Sequence, residues 1–234
     1  MNKQEFKEGI RDGLPICLGY ISVSMAFGLT AVKAGMSIWS AVLISLTNLT
    51  SAGQFAGTNL LIAHSSYIEL IVTTFIINIR YFLMSLSISQ KVDRDFGTKE
   101  RLIASFGVTD EVFAVSMQRR KEISFSYMLG LIATPILGWT VGTLIGAVAT
   151  SLLPAALTDA MGIALYGMFI AIIVPPAREH KSVLFAVLLA IAASYAFTYI
   201  PILSTISGGW SVIIITVVVS ALAAWLFPVP EEDV

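Results

Sequence analysis

The chain has 234 residues, of which 56% are hydrophobic and 12% charged, with a formal net charge of −1 and a mean hydropathy of +0.85. A soluble core has no use for so much apolar side chain, and a chain this close to neutrality lacks the basic field that nucleic acid requires. The single cysteine, Cys17, excludes an intrachain disulfide and a multi-cysteine metal site, and is expected to pack as a small apolar side chain.

Uncharged runs cover residues 13–32, 34–68, 123–158 and 182–230, each long enough to cross a hydrocarbon layer that needs about 20 helical residues. The chain therefore reads as an all-α polytopic integral membrane protein. Its first span, residues 14–32, follows Lys3, Lys7 and Arg11, a bias that places the N-terminus in the cytoplasm. The segment is long for a signal-peptide core and lacks an Ala-x-Ala site, so it is expected to remain as a helix. The next run is too long for one untilted span. Asn48, Thr50, Ser51, Gly53, Gln54 and Gly57 interrupt it, which predicts two helical pieces joined inside the membrane. Lys91, Arg94, Lys99 and Arg101 follow the segment 69–90. They fall on the cytoplasmic side if residues 34–63 enter and return as a broken hairpin, and on the wrong side if those residues cross once.

Residues 102–118 lie between basic clusters and carry Asp110 and Glu111 near their centre. Facing both acids to lipid costs several kcal/mol, so a re-entrant, cavity-lining or interfacial helix is expected there. After Glu122, apolar sequence continues to residue 157 with expected breaks at Pro135, Gly138 and Pro154, followed by a short segment over 160–174. Pro175 and Pro176 then precede a cytoplasmic loop with Arg178, His180 and Lys181. Pro201 and Gly208-Gly209 divide the last run into spans over 183–200 and 210–227, leaving the C-terminus cytoplasmic. The sum is about six full spans plus broken or re-entrant segments, in a single transmembrane domain over residues 1–234. A faint similarity sets Gly28-Leu29 and Trp39 against Gly130-Leu131 and Trp139, each followed by a polar break, at 48–54 and at 150–159. It defines weak halves, 10–118 and 119–227, and leaves open an inverted repeat of roughly 100 residues.

The chemistry must come from the few polar groups inside these runs. Glycine and hydroxyl residues over 48–59 can release backbone groups toward an ion or substrate, or can serve helix packing; Ser51 and Gln54 are the candidates for ligand contact. Asn78 and Arg80 stand in an otherwise uncharged stretch. An arginine at mid-bilayer costs about 3 kcal/mol, so Arg80 should face a cavity or an acid. It could grip a substrate carboxylate or neutralise Asp110, Glu111 or Asp159. Thr109 or Asp110 could cap a short helix, while the acids could instead bind a substrate ammonium or relay a proton. Asp159 carries the same two readings. Glu69 is expected to cap its own segment, and Trp139 to pack at the second break. No nucleophile elbow, P-loop or zinc-protease motif occurs, so no enzymatic activity, catalytic residue, metal or bound cofactor is expected.

The Met25-Ala26-Phe27-Gly28 turn, Ser51-Ala52-Gly53-Gln54-Phe55, Asn78-Ile79-Arg80-Tyr81, Thr109-Asp110-Glu111 with Phe113-Ala114, and Thr158-Asp159 occur in an order and spacing that resemble the AzlC family, the large subunits of branched-chain amino acid permeases. The resemblance covers approximately residues 6–227. It implies an exporter of branched-chain and related amino acids in the inner (plasma) membrane, working with a small, multi-span AzlD-like membrane subunit. It directs interest to Ser51, Gln54, Asn78, Arg80, Asp110, Glu111 and Asp159 as substrate-binding or coupling residues. Tyr81 stands where relatives often have His, which puts proton transfer by that His in doubt here, because a phenol titrates far higher. Alternating access around the breaks at 48–59 and 150–159, powered by a proton gradient, is the expected mechanism. Phe27 or Phe55 would face the substrate's side chain. A channel for another small solute and a scaffold subunit of a membrane complex are the alternatives.

Overall fold

A computed structural model describes residues 2–94, 96–152, 170 and 173–228. The expected break at Pro154, most of the segment 160–174 and Asp159 lie outside the described residues. Among those described, regular structure is helical, apart from one bridge between Val92 and Ile123 and a 3-10 turn at Leu203–Thr205. The helices with defined bounds are α1 (Lys3–Lys33), α2 (Ile38–Thr47), α3 (Ala52–Ile62), α4 (Tyr67–Lys91), α5 (Thr98–Phe106), α6 (Asp110–Gln118), α7 (Phe125–Leu152), α8 (Lys181–Tyr199) and α9 (Gly208–Leu226); residues 173–179 are helical too, so Pro175 and Pro176 do not end the helix before Arg178 as expected. Five of them, α1, α4, α7, α8 and α9, are long and apolar enough to cross a membrane. The protein is thus the expected all-α, multi-pass membrane protein.

The chain forms two compact units, one from Met1–Phe55 with Ile77–Ala164, the other from Ala56–Ile76 with Leu165–Val234. In the first, α1 and α7 pack along most of their length through small residues. Gly9 and Gly13 lie against the Tyr127 to Thr134 stretch, Gly138 against Cys17, Gly142 against Ile21 and Ser24, Gly146 against Met25, and Gly28 against Thr143 and Ala147. Both series ascend together, so the two helices run parallel, and Asn2 N–H donates to Ser126 Oγ at their shared beginning. With hydrocarbon outside, such a seam is held by close van der Waals contact between backbones.

Pro135 and Gly138 do not break α7, contrary to the sequence expectation. Pro135 is fully buried and supplies no N–H to the Leu131 carbonyl one turn back. Gly13 of α1 approaches that carbonyl so closely that a Cβ there would stand 2.6 Å from its oxygen, so α1 packs directly over the unpaired position. The expected helix over 102–118 is instead two short helices, α5 and α6, separated at Gly107. An added Cβ at Gly107 would stand 2.5 Å from Ile132 Cβ, so α7 presses directly on this break. Ile88, Phe96, Ala104, Val108, Val112, Ile123, Met128 and Leu131 form the core around it.

The predicted break between two helical pieces is present, α2 ending at Thr47 and α3 beginning at Ala52. Ser45 of α2 meets Thr143, and Gln54, beyond the break at 48–51, meets Trp139 one turn nearer the beginning of α7. α3 then runs antiparallel to α4: Gly53 faces Asn78 in the first unit and Gly57 faces Thr74 and Leu70 in the second. The end of α4 reaches the start of α7, where Lys91 O accepts from Ile123 N at 2.9 Å.

In the second unit α8 packs on α9. The Glu69 side chain does not cap its own helix as expected. Its Oε1 accepts from Ser207 Oγ at 2.5 Å and from Gly209 N–H at 2.9 Å, at the start of α9.

Candidate functional site

Two helix interruptions build the site in the first unit. At the first, Asn48 is extended and Thr50 Oγ1 donates to its Oδ1 at 2.7 Å. Ser51 takes φ 45°, the left-handed region that non-glycine residues seldom enter. The Thr50 and Ser51 carbonyls then accept from Gly53 and Phe55 as α3 begins. At the second, Thr109 caps α6, its hydroxyl accepting from Val112 N–H at 3.3 Å. Asp110 and Glu111 occupy the first turn, where the helix's unpaired amides favour negative charge.

Arg80 and Tyr81 of α4 connect the interruptions. Arg80 Nη2 lies 3.0 Å from Asp110 Oδ2 and donates to Tyr81 Oη at 3.2 Å, and Tyr81 O–H donates to the Thr50 carbonyl at 3.4 Å. The side chains of Arg80 and Asp110 are each 44% exposed, so the ion pair is open to a ligand and not sealed in the core. Asn78, half-buried, faces Gly53 across α3 and α4, and its Oδ1 has no hydrogen-bond partner among the described residues.

A second, buried arm leads away from the same acids. Tyr20 of α1 hydrogen-bonds the Thr109 hydroxyl at 2.8 Å and the Glu111 carboxylate, and its ring meets Trp139 edge-on at 5.2 Å. Trp139 Nε1 donates to Gln54 Oε1 at 2.8 Å, Gln54 Nε2 donates to Ser45 Oγ at 2.7 Å, and Ser45 shares a 2.7 Å bond with Thr143. Gln54, Ser45, Thr143 and Trp139 are all fully buried. Gln54 therefore holds α2, α3 and α7 together in this conformation, and Trp139 packs at the first break, where the sequence reading placed it at the second. Phe27 and Phe55 are buried edge-to-face against each other, with centroids 5.2 Å apart.

The structure thus gathers Asn78, Arg80, Asp110 and the Ser51 turn at one place, links Glu111 through Tyr20, and sets Gln54 on the buried arm. Tyr20, Ser45 and Thr143 were not among the sequence candidates. The signal for Tyr20 was a phenol near the middle of an apolar span, where its hydroxyl requires a partner. Trp139→Phe should leave Gln54 Oε1 buried without a donor and cost about 1–3 kcal/mol. Thermal unfolding in detergent would show it, with Trp139→Phe/Gln54→Leu less destabilised than the single variant because the stranded acceptor is gone.

The class defined by this fold is an all-α, multi-pass membrane protein in which two interrupted helices meet at an arginine–aspartate pair. The chain belongs to the AzlC protein family, whose model matches residues 15–153, from α1 through α7 with both interruptions inside. It is 31% identical over 184 residues to the inner membrane protein YgaZ of Escherichia coli, covering 76% of this chain and 75% of that one. An uncharacterized membrane protein of Archaeoglobus fulgidus is 32% identical over 172 residues, covering 73% and 75%. The branched-chain amino acid transport protein AzlC of Bacillus subtilis is 22% identical over 209 residues, covering 84% and 81%. No solved structure matches.

Proposed function

We propose that this protein is a secondary transporter that exports branched-chain or related hydrophobic amino acids across the inner membrane, coupled to protons and acting with a small AzlD-like multi-span subunit. The observation that carries the proposal is the Arg80–Asp110 pair at the meeting of two helix breaks. An amino acid is a zwitterion, and a half-exposed ion pair is its complement: the substrate carboxylate takes the arginine fork and the ammonium takes the aspartate, each replacing the other side chain. Both states leave the charges neutralised, so exchange between them need not strand an ion in a low-dielectric layer.

The backbone turn at Asn48 to Ser51 adds carbonyl acceptors beside the pair, and the start of α6 adds amide donors. The name of the Bacillus subtilis relative supports amino acid transport in the family. Both termini are assigned to the cytoplasm from the placement of Lys and Arg, and the chain performs no enzymatic step of its own. Proteoliposomes preloaded with labelled leucine, valine, methionine and an acidic control test the proposal, with and without the small subunit and an imposed proton gradient. Saturable efflux of the branched substrates that responds to the gradient is expected. Non-saturable flux would indicate a channel, and none from correctly inserted complexes would indicate a scaffold role.

A further inference from the structure

We propose that Glu69 is the proton-binding group of this transporter and that its protonation releases the beginning of α9; the coupling part of this proposal rests on the transport reading above. Glu69 is 4% exposed, and in the second unit no cation pairs with it among the described residues. Its charge is balanced by two donors alone, the Ser207 hydroxyl and the Gly209 N–H at the start of the 19-residue helix α9. The approach is close, since a Cβ on Gly209 would stand 2.6 Å from Glu69 Cγ. A carboxylate held only by dipoles satisfies its charged form. Of these two neighbours the Gly209 N–H can only donate, so it loses its charged acceptor when the carboxyl is protonated.

An acceptor lies one turn away. Thr73 follows Glu69 at i+4 on α4 and is 1% exposed, and its Oγ1 has no hydrogen-bond partner among the described residues. Thr58 and Thr134 are left in the same state, whereas Thr30, Thr47, Thr74, Thr140, Thr143, Thr150 and Thr198 each donate to the carbonyl four residues back. At Thr73 a buried hydroxyl left without that bond, one turn from a buried acid, is equipped for a second hydrogen-bonding state.

The two protonation states therefore have different partners. Ionised, Glu69 accepts from α9. On taking a proton, it loses the charge that held the helix amide and gains an O–H that the Thr73 oxygen can accept, directly or through one water. The element biased is the contact between α4 and α9. No ionisable residue occurs in α3 between Ala56 and Ile62 or anywhere in α9. His64 and Tyr67, at the hairpin turn, are exposed, as are Tyr195 and Tyr199 of α8.

Glu69→Gln keeps an acceptor for Ser207 and Gly209 but cannot ionise. In the proteoliposomes described above it should retain leucine–leucine exchange while losing acceleration by the proton gradient. Infrared difference spectra of the purified wild-type protein on acidification should show a carboxylic-acid carbonyl stretch that Glu69→Gln lacks and Thr73→Val shifts. A gradient response in Glu69→Gln equal to that of wild type, or an acid-induced band that survives it unchanged, would overturn the proposal. So would a Thr73→Val protein whose band and gradient response both match wild type, a test independent of whether Glu69→Gln assembles. If the wild type moves no leucine while the band depends on Glu69, the proton site stands and the transport reading falls.

Discussion

Gly146→Leu is expected to prevent the first unit from folding. A Cβ built on Gly146 meets the Met25 carbonyl oxygen within bonding range and stands 2.7 Å from Met25 Cα, so the obstacle is helix backbone and no rotamer relieves it. Gly28 is locked in the same way on the opposite side of the seam, its Cβ position lying 2.8 Å from Ala147 N. Pushing α1 from α7 at this level also separates Tyr20 from Trp139 and thereby disturbs the line from Glu111 to Gln54. The cost should exceed the roughly 3 kcal/mol typical of overpacked cores, because the contact is backbone on backbone. Gly19→Leu is the control. Gly19 lies on the same helix with nothing within 4 Å of its Cβ position, and this variant should stay within about 0.5 kcal/mol of wild type. Monodispersity on size exclusion and the thermal midpoint in detergent distinguish the two; equal behaviour would mean that α1 and α7 do not pack as described.

The parts of the fold written as hydrophobic length were legible in the sequence. α1, α8 and α9 fall where the uncharged runs place them, and the polar residues 48–51 separate α2 from α3 as expected. What hydropathy does not encode is which helix touches which. The small-residue spacing Gly138, Gly142, Gly146 was available as a sign of close helix contact but does not name its partner on α1. Pro135 was misjudged because its effect depends on a neighbour: Gly13 covers the carbonyl that the proline leaves unpaired. For the site, the cost of a buried charge correctly required Arg80 to find an acid, and Asp110 is that acid. Gln54 carried two readings, ligand contact and packing, and its bonds to Trp139 and Ser45 are now visible because only three dimensions bring α7 to α2. Glu69 was undervalued for the same reason, since Ser207 and Gly209 are far away along the chain.

Arg80→Lys is the second variant with a large expected effect. Lysine keeps the positive charge at the mouth of the two interruptions and can still pair with Asp110, so assembly and thermal stability should remain near wild type. What it loses is the planar fork that holds a carboxylate by two parallel bonds while its edge stays against Tyr81. A hydrogen bond to a charged group is worth about 1.5–3 kcal/mol, which corresponds to roughly a 10- to 100-fold fall in kcat/KM for leucine efflux. The loss should be selective. Asp110→Asn removes the partner of the ammonium instead, so it should weaken leucine while sparing the des-amino analogue isocaproate, which Arg80→Lys should weaken as much as leucine. If Arg80→Lys loses complex and flux in equal proportion, the arginine serves to hold α4 against α6 and the substrate carboxylate binds elsewhere. Wild-type flux in both variants would remove the ion pair from the transport path altogether.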